Sequence, residues 1–186
     1  MVTLTALWLP ILLSAVFVFV ASSIIHMFLP YHRSDMKKLP DEDGIMDALR
    51  GFDIPAGDYV IPYAGSPEVM KSEEFREKAK QGPMGFMTVL PSGDPFAMGS
   101  QLAQWFIYCL VVSVFAAYLA GRTASPDWEY LMVFRVTGTV AFAGYALALW
   151  QRSIWYKQAW STTIKSTFDA LVYALLTAGA FGWLWP

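Results

Sequence analysis

Long apolar stretches and a single polar region divide this chain. Four stretches, 6–29, 99–121, 129–150 and 161–186, are almost uncharged and more than 20 residues long. An α-helix needs about 20 apolar residues, at about 1.5 Å of rise each, to cross the hydrocarbon core of a bilayer. The pattern therefore predicts four transmembrane helices.

Prolines, charges and tryptophans mark the ends of these predicted spans. Pro10 falls in the first turn of the first span, where proline is tolerated, and Pro30 is expected to stop that span. The second span follows Asp94-Pro95 and ends at Arg122. The first span lacks a positive leading region and is longer than a signal peptide, so we expect it to remain as an anchor. Tryptophans near span ends form a predicted aromatic belt: Trp8, Trp105, Trp128, Trp150, Trp155, Trp160, Trp183 and Trp185.

The polar region between the first two spans has its own structural signals. Of the 28 charged residues, 20 lie between Arg33 and Asp94. Helices are predicted within 40–52 and over 66–82, the second with Ser66 as N-cap and Gly82 as its stop. Short edge strands are predicted within 57–65 and 85–93, because each contains an internal proline.

These elements give the predicted fold class: an all-α transmembrane four-helix bundle with a small cytoplasmic α/β cap between spans 1 and 2. The expected domains are transmembrane helix 1 at 1–30, the cap loop at 31–99, and transmembrane helices 2–4 at 100–186. About 65 residues provide little core for independent stability. We therefore expect the cap to pack on the membrane face or on a partner.

Basic residues indicate the orientation. The side of the membrane that carries the cap has six basic residues near the spans, whereas the other side has Arg122 alone. The positive-inside rule places residues 31–99 in the cytoplasm and both termini outside. The six are Arg33, Lys37, Lys38, Arg152, Lys157 and Lys165.

Small residues recur every four positions in two spans. In a helix such residues share one face, and small side chains let membrane helices approach closely. We predict a tightly packed bundle with these residues at the helix contacts: Cys109, Ser113, Ala117, Gly121, Ala170, Ala174, Ala178 and Gly182.

Polar side chains inside the spans are the candidate functional residues. His26, Gln104 and Asp169 are expected at a similar depth near the cytoplasmic ends of their helices, with Lys165 one turn from Asp169. They form a candidate polar cluster with a proton-linked or ligand-binding role. The structural alternative is a Lys165–Asp169 pair within one helix, with His26 bonded to a neighbouring span.

No metal site is predicted. His26 and His32 are weak candidates, because they lie six residues apart across Pro30 instead of at the i, i+4 spacing of one helix face. The methionines are not clustered as copper ligands would be, and Cys109 is the single cysteine. We also predict no cofactor, no enzymatic activity and no nucleic-acid binding, since catalytic motifs and basic patches are absent and the net charge is −2.

Three segments carry a resemblance: SSIIHMFLPYHRSD, QGPMGFMTVLPSG and DALVYALLTAGAFGWLWP. They resemble those of a group of uncharacterised bacterial membrane proteins of about this length with four spans. The resemblance implies a multi-pass protein of the bacterial inner membrane, and it brings no activity.

The expected function is that of a non-enzymatic accessory, assembly or scaffold subunit of a larger membrane complex. Its expected partners are the lipid bilayer and other membrane subunits or further copies of itself. The alternative is a small homo-oligomeric transporter or channel with the polar cluster at its cytoplasmic mouth. A membrane enzyme acting on lipid or quinone is a third reading, supported only by aromatics at the span ends.

Overall fold

Four helices long and apolar enough to cross a membrane form most of the computed structural model, which describes residues 1–94 and 96–186. The elements are α1 (Trp8–Phe28), a 3-10 turn (Pro30–Ser34), α2 (Glu42–Gly51), β1 (Gly57–Ile61), α3 (Pro67–Lys71), α4 (Glu73–Gln81), β2 (Gly85–Val89), α5 (Gly99–Thr123), α6 (Tyr130–Ala146), a 3-10 turn (Leu147–Leu149), α7 (Trp150–Trp155) and α8 (Trp160–Trp183). The predicted number of membrane-length helices and the presence of a small sheet are confirmed. Pro95, at the predicted start of the second span, lies outside the described residues.

The chain divides into two compact units. The helical unit comprises Met1–Lys37 and Met98–Pro186, and the cap unit comprises Lys38–Ala97. Residues 31–37, assigned to the cap from the sequence, belong to the helical unit. The reason is that Lys165 and Asp169 of α8 form hydrogen bonds with the turn after α1.

Proline ends the first span as predicted. Helix α1 stops at Phe28, and Leu29 is extended because a residue before proline avoids the helical conformation. Pro30 then opens the 3-10 turn. Pro10 lies in the first turn of α1 and is buried.

The third span is longer than predicted. Residues 151–160 are expected to form a loop, but the 3-10 turn at Leu147–Leu149 carries the chain into α7, which ends at Trp155. No glycine or proline interrupts the sequence from Ala146 to Trp155, so nothing local stops the helix there. Ser153 of α7 and Thr163 of α8 share a buried hydrogen bond of 2.7 Å.

Hydrogen bonds between side chains join α1 to α5. The Ser14 hydroxyl donates to Ser113 Oγ at 2.9 Å, and the Trp105 indole donates to Ser22 Oγ at 2.8 Å. Both bonds pair side chains across helices, as is usual in membrane bundles. The apolar core around them includes Val18, which is fully buried.

In the cap unit, β1 and β2 pair antiparallel with Tyr59 opposite Met87. The predicted single helix over 66–82 is wrong at Ser72, whose backbone is extended and whose hydroxyl accepts from the Phe75 amide. A serine N-cap followed by two glutamates favours a new helix start over continuation. The predicted N-cap Ser66 and stop Gly82 are confirmed, since Ser66 accepts from Val69 N and Gly82 has a φ of 64°.

Candidate functional site

The two histidines of the chain meet at one end of the bundle. His26 lies in the last turn of α1, and the 3-10 turn that begins at Pro30 brings His32 back toward it. The two ring centroids are 4.7 Å apart. The six-residue spacing of the two histidines does not separate them, because the chain reverses at Pro30 and does not continue as one helix.

Asp169 of α8 completes this cluster. Its side chain is buried, with 2% of the residue exposed. His32 Nε2 lies 2.7 Å from Asp169 Oδ2, and the Tyr31 hydroxyl donates to Asp169 Oδ1. On the other side of the ring, His32 Nδ1 lies 2.7 Å from Asp35 Oδ2. The His32 imidazole therefore lies between two carboxylates.

Lys165 does not pair with Asp169, the partner proposed within α8. Its ammonium group instead donates to three acceptors of the turn after α1: Tyr31 O at 2.6 Å, Ser34 Oγ at 2.8 Å and Asp35 Oδ1 at 2.8 Å. The flexible lysine stem lets the charge reach these groups from the helix surface. Lys165 thus fastens the turn to α8.

Two groups of the turn have shifted pKa values. Burial acts to raise the pKa of Asp35, but the hydrogen bonds from Lys165 and His32 outweigh it and hold the pKa below its usual range. Burial, together with the bond to the Asp169 carboxylate, raises the pKa of Tyr31. At neutral pH Asp35 is therefore ionised, and Tyr31 keeps the proton that it donates to Asp169.

Of the four predicted cluster members, Gln104 takes no part. His26 and Asp169 meet, and Lys165 joins through Asp35 and the turn. Gln104 is exposed on α5, while its neighbour Trp105 faces the bundle and bonds to Ser22. Whether Gln104 faces the cluster depends on the rotation of α5, which its expected depth in the membrane does not determine.

An aromatic cavity of about 360 Å³ adjoins the cluster. Within the described part of the chain, the buried hydroxyls of Tyr145 and Tyr173 have no hydrogen-bond partner. The Cys109 thiol, a weak donor and weak acceptor, is a polar neighbour of Tyr145. The cavity is lined by His26, Trp105, Tyr108, Tyr145, Leu149, Ser166, Asp169, Ala170 and Tyr173.

Most of the small residues predicted at helix contacts are buried. Gly182 is half-buried, and a Cβ there would lie 2.7 Å from the Tyr130 ring. A Cβ on Gly138 of α6 would approach the Ala178 methyl to 3.0 Å, which shows how closely α6 and α8 pack. The buried members are Cys109, Ser113, Ala117, Gly121, Ala170, Ala174 and Ala178.

Sequence reasoning missed Tyr31 and Asp35 as members of the site. The sequence contains one local sign of the His32–Asp35 contact: Asp35 follows His32 by three residues, and one helical turn brings such residues together. The contacts of Tyr31 and His32 with Asp169 have no such signal, since they join distant parts of the chain. Three of these groups, His26, His32 and Asp169, each offer one ligand atom, and these atoms lie within 4.8 Å of one another.

Comparison with known proteins finds no matching family model, no similar curated protein and no similar solved structure.

Proposed function

We propose that this protein is an accessory subunit of a larger membrane complex and that its cap unit binds another protein of that complex. The observation that carries the proposal is the exposure of the cap unit. Of its described residues, 38–94 and 96–97, none is buried. A folded unit with no buried residue is expected to gain stability from a partner that covers it.

Large apolar side chains on the cap unit support a protein partner. Phe52 is 76% exposed, Leu90 75% and Phe96 87%. Large exposed apolar side chains that are concentrated in a small unit typically mark a protein interaction site. The unit also contains a cleft of about 380 Å³ between α2 and β2, with Met46, Leu49, Ile54 and Val89 as its apolar lining.

The charge of the cap unit favours protein over lipid as the covering surface. Residues 38–97 contain six basic and eleven acidic side chains, a net charge of −5. Anionic lipid headgroups attract basic segments and repel acidic ones. A membrane surface is therefore a poor match, and a protein with an apolar, basic-rimmed segment is a good one.

The proposed setting is the bacterial inner membrane, with the cap in the cytoplasm and both termini outside. The excess of basic residues on the cap side of the spans supports this orientation. Four membrane-length helices support a multi-pass protein.

Photo-crosslinking from the cap in native membranes tests the proposal. A crosslinking residue at Leu90, followed by purification in mild detergent and mass spectrometry, is expected to capture one protein in stoichiometric amount. The double variant Met46→Asp, Leu49→Asp should lose that capture. Ala48→Asp is the matched control, because it adds a charge to the same helix at an exposed position outside the cleft lining. Equal capture by both variants, or no captured protein, would reject the cap as the binding surface.

The second candidate is a small homo-oligomeric transporter or channel. Buried Asp169 favours it, because an ionisable group within a span is costly and is often functional. If this candidate is correct, purified protein in liposomes should conduct ions or protons, and Asp169→Asn should abolish the flux while Gln104→Ala leaves it unchanged. Flux that persists in Asp169→Asn would remove Asp169 from any transport path.

A further inference from the structure

We propose that His26, His32 and Asp169 bind one divalent transition-metal ion of the zinc class. Each residue contributes one ligand atom, and the three atoms lie within 4.8 Å of one another. The ligands come from the end of α1, the turn after it and α8, so a bound ion would join three segments of the helical unit. This inference is independent of the proposed cap partner.

Hydrogen bonds from neighbouring residues that are not themselves ligands orient two of the three proposed ligands. His32 Nδ1 faces Asp35 Oδ2 at 2.7 Å, which leaves Nε2 directed toward Asp169 and the site. Tyr31 donates to Asp169 Oδ1 and leaves Oδ2 available. A metal-ligating histidine ordinarily donates its other ring N–H to a carboxylate, and ligating carboxylates are themselves hydrogen-bonded. Both arrangements are present here.

Lys165 of α8 bonds to the two residues that orient the ligands, Tyr31 and Asp35. It donates to Asp35 at 2.8 Å and to the backbone oxygen of Tyr31 at 2.6 Å, so it holds both orienting residues in place. The lysine charge lies on Asp35 and not on the buried Asp169. A divalent cation would supply positive charge directly to the Asp169 carboxylate.

The ligand types select the class of metal. Two imidazole nitrogens and one carboxylate oxygen suit Zn²⁺ and similar ions, which are commonly held by three protein ligands with a fourth position open. Mg²⁺ and Ca²⁺ prefer all-oxygen sites. The three ligands contain no sulfur, which makes Cu⁺ a poor match.

Metal binding would fix the tautomer of His32. Its Nδ1 and Nε2 atoms each lie 2.7 Å from a carboxylate oxygen, Asp35 Oδ2 and Asp169 Oδ2 respectively. The ion would bind the Nε2 lone pair, so the proton on the metal-bound ring would be at Nδ1, where it donates to Asp35.

A fourth ligand of the ion would lie in the aromatic cavity, which has room for a small molecule beside the proposed site. His26 and Asp169 belong to both the cavity lining and the ligand set. Tyr145 and Tyr173 are 6% and 4% exposed, and their hydroxyls have no protein partner among the described residues. The fourth ligand would be water or a small anion, because the two tyrosine hydroxyls can donate hydrogen bonds to it.

Cobalt titration of the full-length protein tests the site. Protein purified in mild detergent and stripped with chelator is titrated with Co²⁺, whose visible absorption reports its coordination, and Co²⁺ is then displaced by Zn²⁺. We expect one Co²⁺ per chain and the absorption of a four- or five-coordinate ion. His26→Ala removes a ligand and should weaken Co²⁺ binding at least a hundred-fold. Asp35→Asn should weaken it by about 10- to 100-fold, the usual loss for a residue that hydrogen-bonds to a metal ligand.

Controls separate loss of a ligand from loss of the fold. His26 is exposed at the end of α1, so His26→Ala is expected to keep the thermal unfolding temperature of the metal-free protein. Gln104→Ala, at the same end of the bundle, should bind Co²⁺ like the wild type. The proposal is overturned if the wild-type protein takes up no Co²⁺ or Zn²⁺, or if His26→Ala binds as tightly as Gln104→Ala does.

Discussion

His32 Nε2 lies 2.7 Å from Asp169 Oδ2, although the two residues are 137 positions apart in the chain. This contact joins the turn after the first span to the fourth span. It also places a titratable ring against a buried carboxylate, an arrangement that a structural helix end does not require. This contact makes that end of the bundle a chemically specific part of the molecule.

Lys165→Met is expected to loosen the turn after α1. The variant keeps most of the apolar stem but removes three hydrogen bonds from the turn, including the one to the Asp35 carboxylate. A loss of about 2 kcal/mol in stability follows, since one of these bonds is charge-assisted on both sides. Thermal unfolding in detergent and hydrogen exchange at residues 31–35 measure the effect. Lys157→Met is the control, because Lys157 is exposed and its ammonium group donates within its own turn, to Ile154 O. An equal loss in both variants would contradict the assigned role of Lys165.

Gly182→Ala is expected to destabilise the contact between α6 and α8. The added methyl would lie 2.7 Å from the Tyr130 ring, so the ring must move, at a cost of about 1–3 kcal/mol. Gly179→Ala in the same helix meets only the Tyr130 hydroxyl at 3.9 Å, an ordinary contact. Because alanine favours helix over glycine, Gly179→Ala should be neutral or stabilising. Unfolding temperatures of the two variants in the same detergent test the difference, and a lower temperature for Gly179→Ala would show that the packing is wrong.

Tyr145→Phe and Tyr108→Phe are expected to act in opposite directions. The Tyr108 hydroxyl donates to Gly144 O at 2.7 Å, so its removal should cost about 1 kcal/mol. The buried Tyr145 hydroxyl has no partner among the described residues, and its removal should be neutral or stabilising in metal-free protein. Thermal unfolding measures both. Destabilisation by Tyr145→Phe would mean that the hydroxyl is bonded in the free protein.

Ser72→Ala is expected to unravel the start of α4. The Ser72 hydroxyl accepts from the Phe75 amide at 3.2 Å and donates to Val69 O at 2.7 Å, so it both begins α4 and holds the end of α3. Loss of an N-cap costs about 1 kcal/mol. Faster hydrogen exchange at Phe75 and Arg76 is the expected readout. Ser72→Thr keeps the hydroxyl and should exchange like the wild type; fast exchange in Ser72→Thr as well would show that the hydroxyl is not what matters.

The spans were predictable because membrane length and apolarity are local properties of a segment. Pro30 was predictable as a helix stop for the same reason. Ser72 was not, since serine is acceptable inside an exposed helix and becomes an N-cap only when the chain bends there. Residues 68–81 contain no glycine or proline that would predict a bend at Ser72.

The site was predictable only in part. The sequence predicts that His26 and Asp169 lie at a similar depth, and in the structure they meet. The approach of His32 depends on how the turn after Pro30 folds back against α8, and the facing of Gln104 depends on the rotation of α5. Neither a reversal of the chain nor a helix rotation is determined by the spacing of residues along the sequence.

X-ray absorption at the zinc edge, on zinc-loaded full-length protein, tests the proposed metal site most directly. Coordination by His26, His32 and Asp169 predicts nitrogen and oxygen ligands at about 2.0–2.2 Å and scattering from two imidazole rings. His26→Ala should reduce the imidazole contribution to one ring. A sulfur ligand at about 2.3 Å, or a spectrum without imidazole scattering, would contradict this ligand set.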